Sequence, residues 1–354
     1  MSRHRIHALK YLSILSLPLT LYVALTYQGA WTFFPFVYVF GLIPTIELFL
    51  KPDERNMELT EEALAESDTF YDWLIYGTLP IHFALLVWFL HIVDTEALAL
   101  YERIGLVLST GIMCGTFGIN VGHELGHRAK SFERVLAKIA LGSSLYMHFF
   151  IEHNRGHHKR VATPDDPATA RYGESILRFW ARSITFSFFS AWKLEAVRLK
   201  KKKKAVLSIH NEMIWYVVIQ STLLIAIGLI WSVPTMIYFI FTAFVGILLL
   251  ETVNYIEHYG LVRKQKETGK YERPLPHHSW NSNHIIGRLL LFELSRHSDH
   301  HYQASRKYQV LRHHDDSPQM PTGYPGMIVM ALFPPLWFGI MHREIDKLDQ
   351  PSLK

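Results

Sequence analysis

Six runs of apolar residues, each about long enough to cross a lipid bilayer, dominate this chain of 354 residues. A helix rises about 1.5 Å per residue, so about 20 residues cross the roughly 30 Å hydrocarbon core. Inside that core every backbone amide must bond within the chain, and for runs of this length a helix is the structure that achieves it. The sequence therefore predicts an all-α, polytopic membrane protein. The predicted spans are 9–27, 31–50, 74–93, 104–120, 213–231 and 234–251.

The connectors between these spans alternate in length and charge. Three are short, namely 28–30, 94–103 and 232–233, which pairs the spans into three hairpins. The long polar segments are 51–73, 121–212 and 252–354. Of the 36 Lys and Arg residues, only Arg103 lies in a short connector. Because basic residues accumulate on the cytoplasmic side of a membrane, we expect both termini and all long segments in the cytoplasm.

The domain organisation follows from this topology. We predict a single integral membrane domain over residues 1–354, with the first four spans in 9–120 and the last two in 213–251. Two histidine-rich segments, 121–212 and 252–354, form a predicted helical cap on the cytoplasmic side.

Histidines concentrate in that cap, since 16 of the 21 lie between His123 and His314. Three clusters have the spacing of metal ligands: HELGH from His123, EHNRGHH from Glu152 and RHSDHH from Arg296. A fourth, NYIEHYG from Asn254, continues the sixth span and carries His258. An isolated histidine is usually a core or surface residue, but three clusters on one side of a membrane indicate metal binding.

The number of imidazoles indicates two metal ions. HELGH alone is typical of a zinc metalloprotease, which needs two or three ligands and a glutamate base. The clusters supply nine candidate imidazoles, enough for four or five on each of two ions. Neutral imidazole suits iron, zinc, copper or nickel. Adjacent histidines on a helix point about 100° apart, so each of a pair can reach a different ion.

Electrons for a redox reaction must come from outside the chain. Cys114 is the single cysteine, so the chain cannot hold a Cys₄ iron or zinc site. The sequence also lacks a Gly-rich dinucleotide-binding fingerprint. The 17 basic residues of 121–212, including Lys200–Lys204, favour docking of an acidic carrier there.

The longer motifs resemble one family. They are NxGHELGHR, FFIEHNRGHHKRVATPDDPATAR, NYIEHYGL, PHHSWNSNH, RHSDHH and MPTGYPGM. Together they resemble the membrane fatty-acid desaturase and hydroxylase superfamily and, within it, the membrane-bound alkane 1-monooxygenases of the AlkB type. The resemblance runs from about residue 10 to about residue 340. Glu47 and Glu293 stand where members of the family usually carry other residues, and neither is a ligand.

The resemblance implies a non-haem diiron enzyme with two Fe ions and no haem or flavin. Such an enzyme hydroxylates the terminal methyl of medium- or long-chain n-alkanes to 1-alkanols, using O₂ and electrons from rubredoxin and its reductase. It would lie among the lipids of a bacterial inner membrane and bind no nucleic acid. The implied ligands are His123, His127, His153, His157, His158, His258, His297, His300 and His301. The rivals are a xylene-type methyl monooxygenase, a fatty-acid desaturase and, more distantly, a zinc-binding transporter or protease.

Polar residues beside the ligands are candidates to accept imidazole N–H groups and fix the tautomer of each ring. These are Glu124, Glu152, Asn254, Glu257 and Asp299. Four histidines near the clusters are kept out of the ligand set, namely His148, His277, His278 and His284. An alkane offers no hydrogen-bonding group, so an apolar channel must select it. The sequence does not identify the residues that line that channel.

Overall fold

Residues 7–348 are described by a computed structural model and contain helices but no β-strand. His4, which the sequence suggests is an ordinary surface residue, lies outside the described part. Six helices are long and apolar enough to cross a membrane, which confirms the all-α, six-span prediction. They are Leu9–Tyr27, Gly29–Glu47, Thr69–Thr95, Leu100–Gly126, Glu212–Ile230 and Val233–His258. We number them as spans one to six.

Spans four and six continue beyond their predicted ends and carry metal-ligand candidates with them. Span four runs on to Gly126 and includes His123, whereas its apolar run ends at Asn120. Span six ends at His258 and includes the polar residues after Glu251. Apolarity marks only the part of a helix in contact with lipid, so these buried polar turns escape a search for apolar runs.

The two ligand-bearing spans pack closely through small residues. A Cβ added to Gly111 would lie 2.5 Å from Cβ of Val245, and one added to Gly246 would lie 3.0 Å from Cβ of Cys114. Small residues let helices approach closely in a membrane, where van der Waals packing drives association. Larger residues at either glycine would push the spans apart and displace the histidines at their ends.

The remaining helices form the cap over one end of the bundle. They are Leu59–Ser67, Ser131–Gly142, Phe149–Glu152, His153–His157, His158–Arg160, Ile176–Lys201, Ile285–Leu290, His297–Tyr302, Tyr324–Ala331 and Pro334–Asp346, with 3₁₀ turns at Pro276–His278 and Tyr308–Val310. A second apolar core, which includes Phe179, Tyr255, Trp280 and Trp337, packs the end of span six against this cap. The cap thereby holds the loops that carry the late histidines.

A buried ion cluster joins the two ends of the chain. The hydroxyl of Tyr11 donates to Glu293 at 2.8 Å, and Nε of Arg288 lies 2.8 Å from the same carboxylate. Lys10 contributes a third contact at 3.3 Å. Glu293, which departs from the family pattern, therefore ties span one to the C-terminal segment and does not touch the ligand candidates.

Candidate metal centre

All nine predicted histidines converge, and they do so in two groups. The first group is His123, His127, His153, His158 and His300. The second group is His157, His258, His297 and His301. Within each group one ring nitrogen per residue lies within 4.8 Å of every other. The sequence predicted nine imidazoles shared between two ions. The fold places five of them in the first group and four in the second.

The ring nitrogens of the first group face a common point. Nε2 of His300 lies 3.0 Å from Nε2 of His123 and 3.2 Å from Nε2 of His158. Nε2 of His153 lies 2.9 Å from that of His158 and 3.0 Å from that of His127. Two nitrogens bound at a right angle to one metal at about 2.1 Å lie about 3.0 Å apart. The spacing is that of ligands around one ion.

The second group has the same spacing and adds a carboxylate. Nε2 of His157 lies 3.2 Å from that of His301, and Nε2 of His258 lies 3.2 Å from that of His297. Oε2 of Glu257 lies 3.2 Å from Nε2 of His297. The other oxygen of Glu257 accepts a hydrogen bond from the Tyr324 hydroxyl at 2.6 Å. The second group therefore offers four imidazoles and one oriented carboxylate.

Helix geometry separates neighbouring histidines. His157 ends a π-helical turn and His158 begins the next helix, and the two rings belong to different groups. His300 and His301, inside the helix His297–Tyr302, are divided in the same way. The angle of about 100° between adjacent side chains produces this division.

Burial keeps the imidazoles in the state that binds metal. It lowers the pKa of His153, His297 and His301 well below the usual range, and neighbouring imidazoles lower it further. The pKa of His300 falls to about 3, again mainly through burial. These rings are neutral at pH 7, with lone pairs free for a metal. An all-nitrogen donor set with one adjacent carboxylate fits iron, and it also fits zinc, copper or nickel.

The sequence motifs did not predict one carboxylate of this site, that of Asp166. Oδ2 of Asp166 lies 2.8 Å from Nδ1 of His157, and the Thr169 hydroxyl donates to the same oxygen at 2.7 Å. Asp166 is fully buried. Such a pair fixes the ring so that Nε2 faces the other imidazoles of the second group. The signal available in the sequence was an acidic pair, Asp165 and Asp166, between two prolines a few residues after the second cluster.

Of the five residues predicted to orient ligands, Glu257 contacts a clustered imidazole. The other four have different partners in the structure. These are Arg128 for Glu124 at 2.7 Å, Arg160 for Glu152, Glu251 for Asn254 at 3.4 Å and Arg306 for Asp299 at 2.9 Å. Burial raises the pKa of Glu152 to about 7, an effect that Arg160 reduces. These groups brace the helices that carry the ligands.

The histidines kept out of the ligand set have structural surroundings of their own. His148 packs edge-on against Tyr146 and Phe188, and burial lowers its pKa to about 4. Nδ1 of His278 accepts the Leu275 N–H at 2.9 Å, and its Nε2 lies 3.1 Å from Glu272. His277, His278 and Glu272 form a separate group of possible metal ligands. His284 bonds to Ser282 at 3.1 Å.

An apolar cavity leads from both histidine groups into the membrane part of the molecule. At its polar end it reaches His123, His153 and His297, together with Asn254 and Glu257. Its walls are otherwise mainly aliphatic and aromatic. They include Val39, Phe40, Ile112, Leu249, Val253 and Ile328. A long apolar molecule in this cavity would place one end beside the metal-ligand candidates.

Comparison with known proteins identifies relatives of this chain. A model of the fatty acid desaturases matches residues 103–331. The chain is 41% identical to alkane 1-monooxygenase 1 of Pseudomonas aeruginosa over 335 residues, which are 94% of this chain and 88% of that protein. It is 44% identical to alkane 1-monooxygenase 1 of Alcanivorax borkumensis over 330 residues, covering 89% and 80%.

A further relative is more distant. The xylene/toluene monooxygenase hydroxylase component of Pseudomonas putida is 28% identical over 281 residues, which are 78% of this chain and 74% of that protein. The identity to the alkane enzymes is higher and extends over more of the chain. With its six spans and its clustered histidines, the chain belongs to the alkane 1-monooxygenase family, which consists of membrane oxidoreductases.

Proposed function

We propose that this protein is a non-haem diiron monooxygenase that hydroxylates the terminal methyl of medium- or long-chain n-alkanes. The observation that carries the proposal is the meeting of two imidazole groups with the end of an apolar cavity. The overall reaction combines an alkane, O₂, two electrons and two protons into a 1-alkanol and water. Two bound irons would supply the activation of O₂ and the oxidation of the C–H bond.

The chain contributes ligation and orientation. We propose all nine clustered histidines as ligands, five for one iron and four for the other. Asp166 holds the ring of His157 with Nε2 facing inward. Tyr324 fixes Glu257 so that its free oxygen faces the second group. These contacts place each donor before metal arrives, and loss of such supporting partners typically costs 10–100-fold in affinity or activity.

The cavity contributes selectivity and dryness. Its walls offer an alkane shape and length but few polar partners, which is the way an apolar substrate can be distinguished. Exclusion of water strengthens the electrostatic contacts around the site. The same walls would bind a methylated aromatic ring, and the xylene/toluene relative makes that substrate class the second candidate.

The electrons come from a separate protein, which we propose is rubredoxin, itself reduced by rubredoxin reductase. Cys114 is buried and alone, so the chain has no thiolate centre of its own. We place the protein in a bacterial inner membrane as a single domain, with both termini and the site facing the cytoplasm. The exposed lysines of Lys200–Lys204 lie in the cap segment and would attract an acidic carrier.

The geometry at HELGH argues against a zinc protease. Glu124 would be the general base of HELGH, but it is buried against Arg128 and accepts the backbone N–H of Tyr308 at 3.2 Å. A carboxylate held in this way does not face a metal-bound substrate. The arrangement supports a structural role for Glu124.

One experiment tests the proposal as a whole. The purified protein in lipid vesicles is analysed for metals, then supplied with octane, O₂, rubredoxin, rubredoxin reductase and NADH. We expect about two irons per chain and NADH-dependent formation of 1-octanol. Zinc without iron and no O₂ consumption would favour a zinc protein, and oxidation of xylene without octane would favour the aromatic substrate.

A further inference from the structure

Three elements that line the apolar cavity meet at one buried carboxylate, that of Glu47. Glu47 is the last residue of span two, which lines the cavity with Ile43 one turn earlier. The N–H of Gly287, a second lining residue, donates to Oε1 of Glu47 at 2.7 Å. On the other side of the carboxylate lies Gly323, directly before the lining residue Tyr324. The carboxylate is therefore a wedge between three parts of the wall.

The backbone of Gly323 does not itself require a glycine. Its φ of −68° and ψ of 163° describe an extended conformation that any residue adopts. The three atoms nearest to an added Cβ all belong to Glu47, namely Oε2 at 2.0 Å, Cδ at 2.7 Å and Oε1 at 3.0 Å. A methyl group at position 323 would therefore displace either the carboxylate or the chain that leads into Tyr324.

The carboxylate of Glu47 is not free to move aside. It is 1% exposed, and leaving its place would break the hydrogen bond from Gly287 inside the protein. A buried charge that loses its hydrogen bond costs free energy. Gly323 is also the N-cap of the helix Tyr324–Ala331, and the N-terminal end of a helix attracts a negative charge. Both contacts hold the carboxylate against residue 323.

A chain of contacts leads from Glu47 to the second histidine group. Gly323 is followed by Tyr324, whose hydroxyl donates to Oε1 of Glu257 at 2.6 Å. Oε2 of Glu257 lies 3.2 Å from Nε2 of His297. Tyr324 and Glu257 are both 1% exposed, so neither side chain has solvent to move into. A shift of the chain at residue 323 would therefore reach the carboxylate beside His297.

We propose that Glu47 is a positioning residue, which holds Gly323 and Tyr324 in place and so keeps the carboxylate of Glu257 against His297. This inference rests on the proposed function, since it takes the second group to hold an iron. Loss of a contact that orients a metal ligand typically costs 10–100-fold in metal affinity or activity. Glu47 acts through two further residues, so disturbing it should cost less than removing the Tyr324 hydroxyl.

A double-mutant cycle between positions 323 and 324 tests this role. The measurement is the rate at which a chelator removes each iron from the protein in lipid vesicles, without substrate, followed by Mössbauer spectroscopy. Tyr324→Phe removes the donor to Glu257 and should speed release from the second group about tenfold, and Gly323→Ala should speed it a few-fold. If Glu47 acts through Tyr324, the combined variant should release that iron no faster than Tyr324→Phe alone.

Two further variants separate positioning from general damage. Glu47→Asp combined with Gly323→Ala shortens the acid by one methylene and makes room for the new methyl, so release should slow again toward the parent rate. Gly339→Ala, at an exposed glycine where an added Cβ meets nothing within 4 Å, should leave release unchanged. Additive effects in the cycle, no effect of Gly323→Ala, or no recovery with the shorter acid would overturn the positioning role.

The same samples distinguish this inference from the proposed function. Iron release needs no turnover, so it is measured whether or not octanol forms. A parent that holds iron in both groups and shows the expected cycle, but makes no octanol, refutes the hydroxylation and leaves the role of Glu47 standing. A parent that makes octanol while Gly323→Ala releases iron at the parent rate refutes the role of Glu47 alone.

Discussion

The two histidine groups differ in charge and in access to solvent. The second group lies wholly buried, with Glu257 beside His297 and Asp166 beside His157. The first group contains two partly exposed rings, His127 and His158. Among residues 7–348 the structure shows no carboxylate in contact with an imidazole of the first group. The second group has two carboxylates in contact with its rings and is closed to solvent, whereas two rings of the first group are partly exposed.

If the two groups hold the proposed irons, this difference would give the two ions separate tasks. A carboxylate beside a metal lowers the net positive charge and favours the more oxidised ion. An all-imidazole site with two partly exposed rings is better placed to receive an electron from outside. If irons occupy both groups as proposed, electrons from the carrier would reach the first group before the second.

The largest effect should follow from removing a ligand. His258→Ala in the second group and His158→Ala in the first should each lower iron from about two to about one per chain and abolish octanol formation. His210→Ala is the control because its ring is exposed and belongs to neither group. Metal analysis and product yield are measured on the same sample. Two irons retained in either variant would show that the ring is not a ligand.

A smaller loss should follow from removing the partner of a ligand. Asp166→Asn keeps the shape of the side chain but removes the charge beside His157, and we expect a 10–100-fold loss of iron affinity or rate. Asp165→Asn, at the exposed neighbouring aspartate, is the matched control. If both variants behave alike, burial of Asp166 serves folding and has no bearing on the metal.

The closed and open sites should also differ in how quickly they release metal. A chelator added to the holoenzyme should remove the iron of the first group several-fold faster, because His127 and His158 are partly exposed and, within residues 7–348, no carboxylate contacts the rings of that group. Mössbauer spectra recorded during chelation would follow the two irons separately. Faster release from the carboxylate-bearing group would reverse the comparison.

The smallest effect concerns the docking of the electron carrier. Lys159 is exposed and follows His158 directly, whereas Lys202 belongs to the distant lysine run. If the first group receives electrons, Lys159→Glu should raise the rubredoxin concentration for half-maximal rate a few-fold, and Lys202→Glu should raise it less. Steady-state rates at low ionic strength measure both. A larger effect at Lys202 would place the docking surface on the helix Ile176–Lys201.

Much of this architecture could be read from spacing. The spans follow from apolar runs, and the division of His157 from His158 follows from the turn of a helix. The motif NYIEHYG was predicted to continue the sixth span, and the structure places Asn254 and His258 in the last turns of that span. These features depend on contacts within a few residues, which a sequence displays directly.

The supporting contacts could not be read in this way. Glu257 meets Tyr324 across 67 positions of the chain, and only the folded cap brings them together. Asp299 was expected to orient a ligand, but Arg306 and His314 bind it instead. A carboxylate beside a histidine in the sequence has several cationic partners to choose from, and tertiary packing decides among them.

The bond between Tyr11 and Glu293 has a consequence for biosynthesis. Its partners lie 282 positions apart in the chain, so the bond cannot form until nearly the whole chain has been translated. His297, His300 and His301 follow Glu293 closely in the chain, which means that neither histidine group is complete before they are translated. Both histidine groups are therefore completed only after all six spans have been translated. A ribosome that stalls before residue 293 would leave the first group with four of its five imidazoles and the second with two of its four.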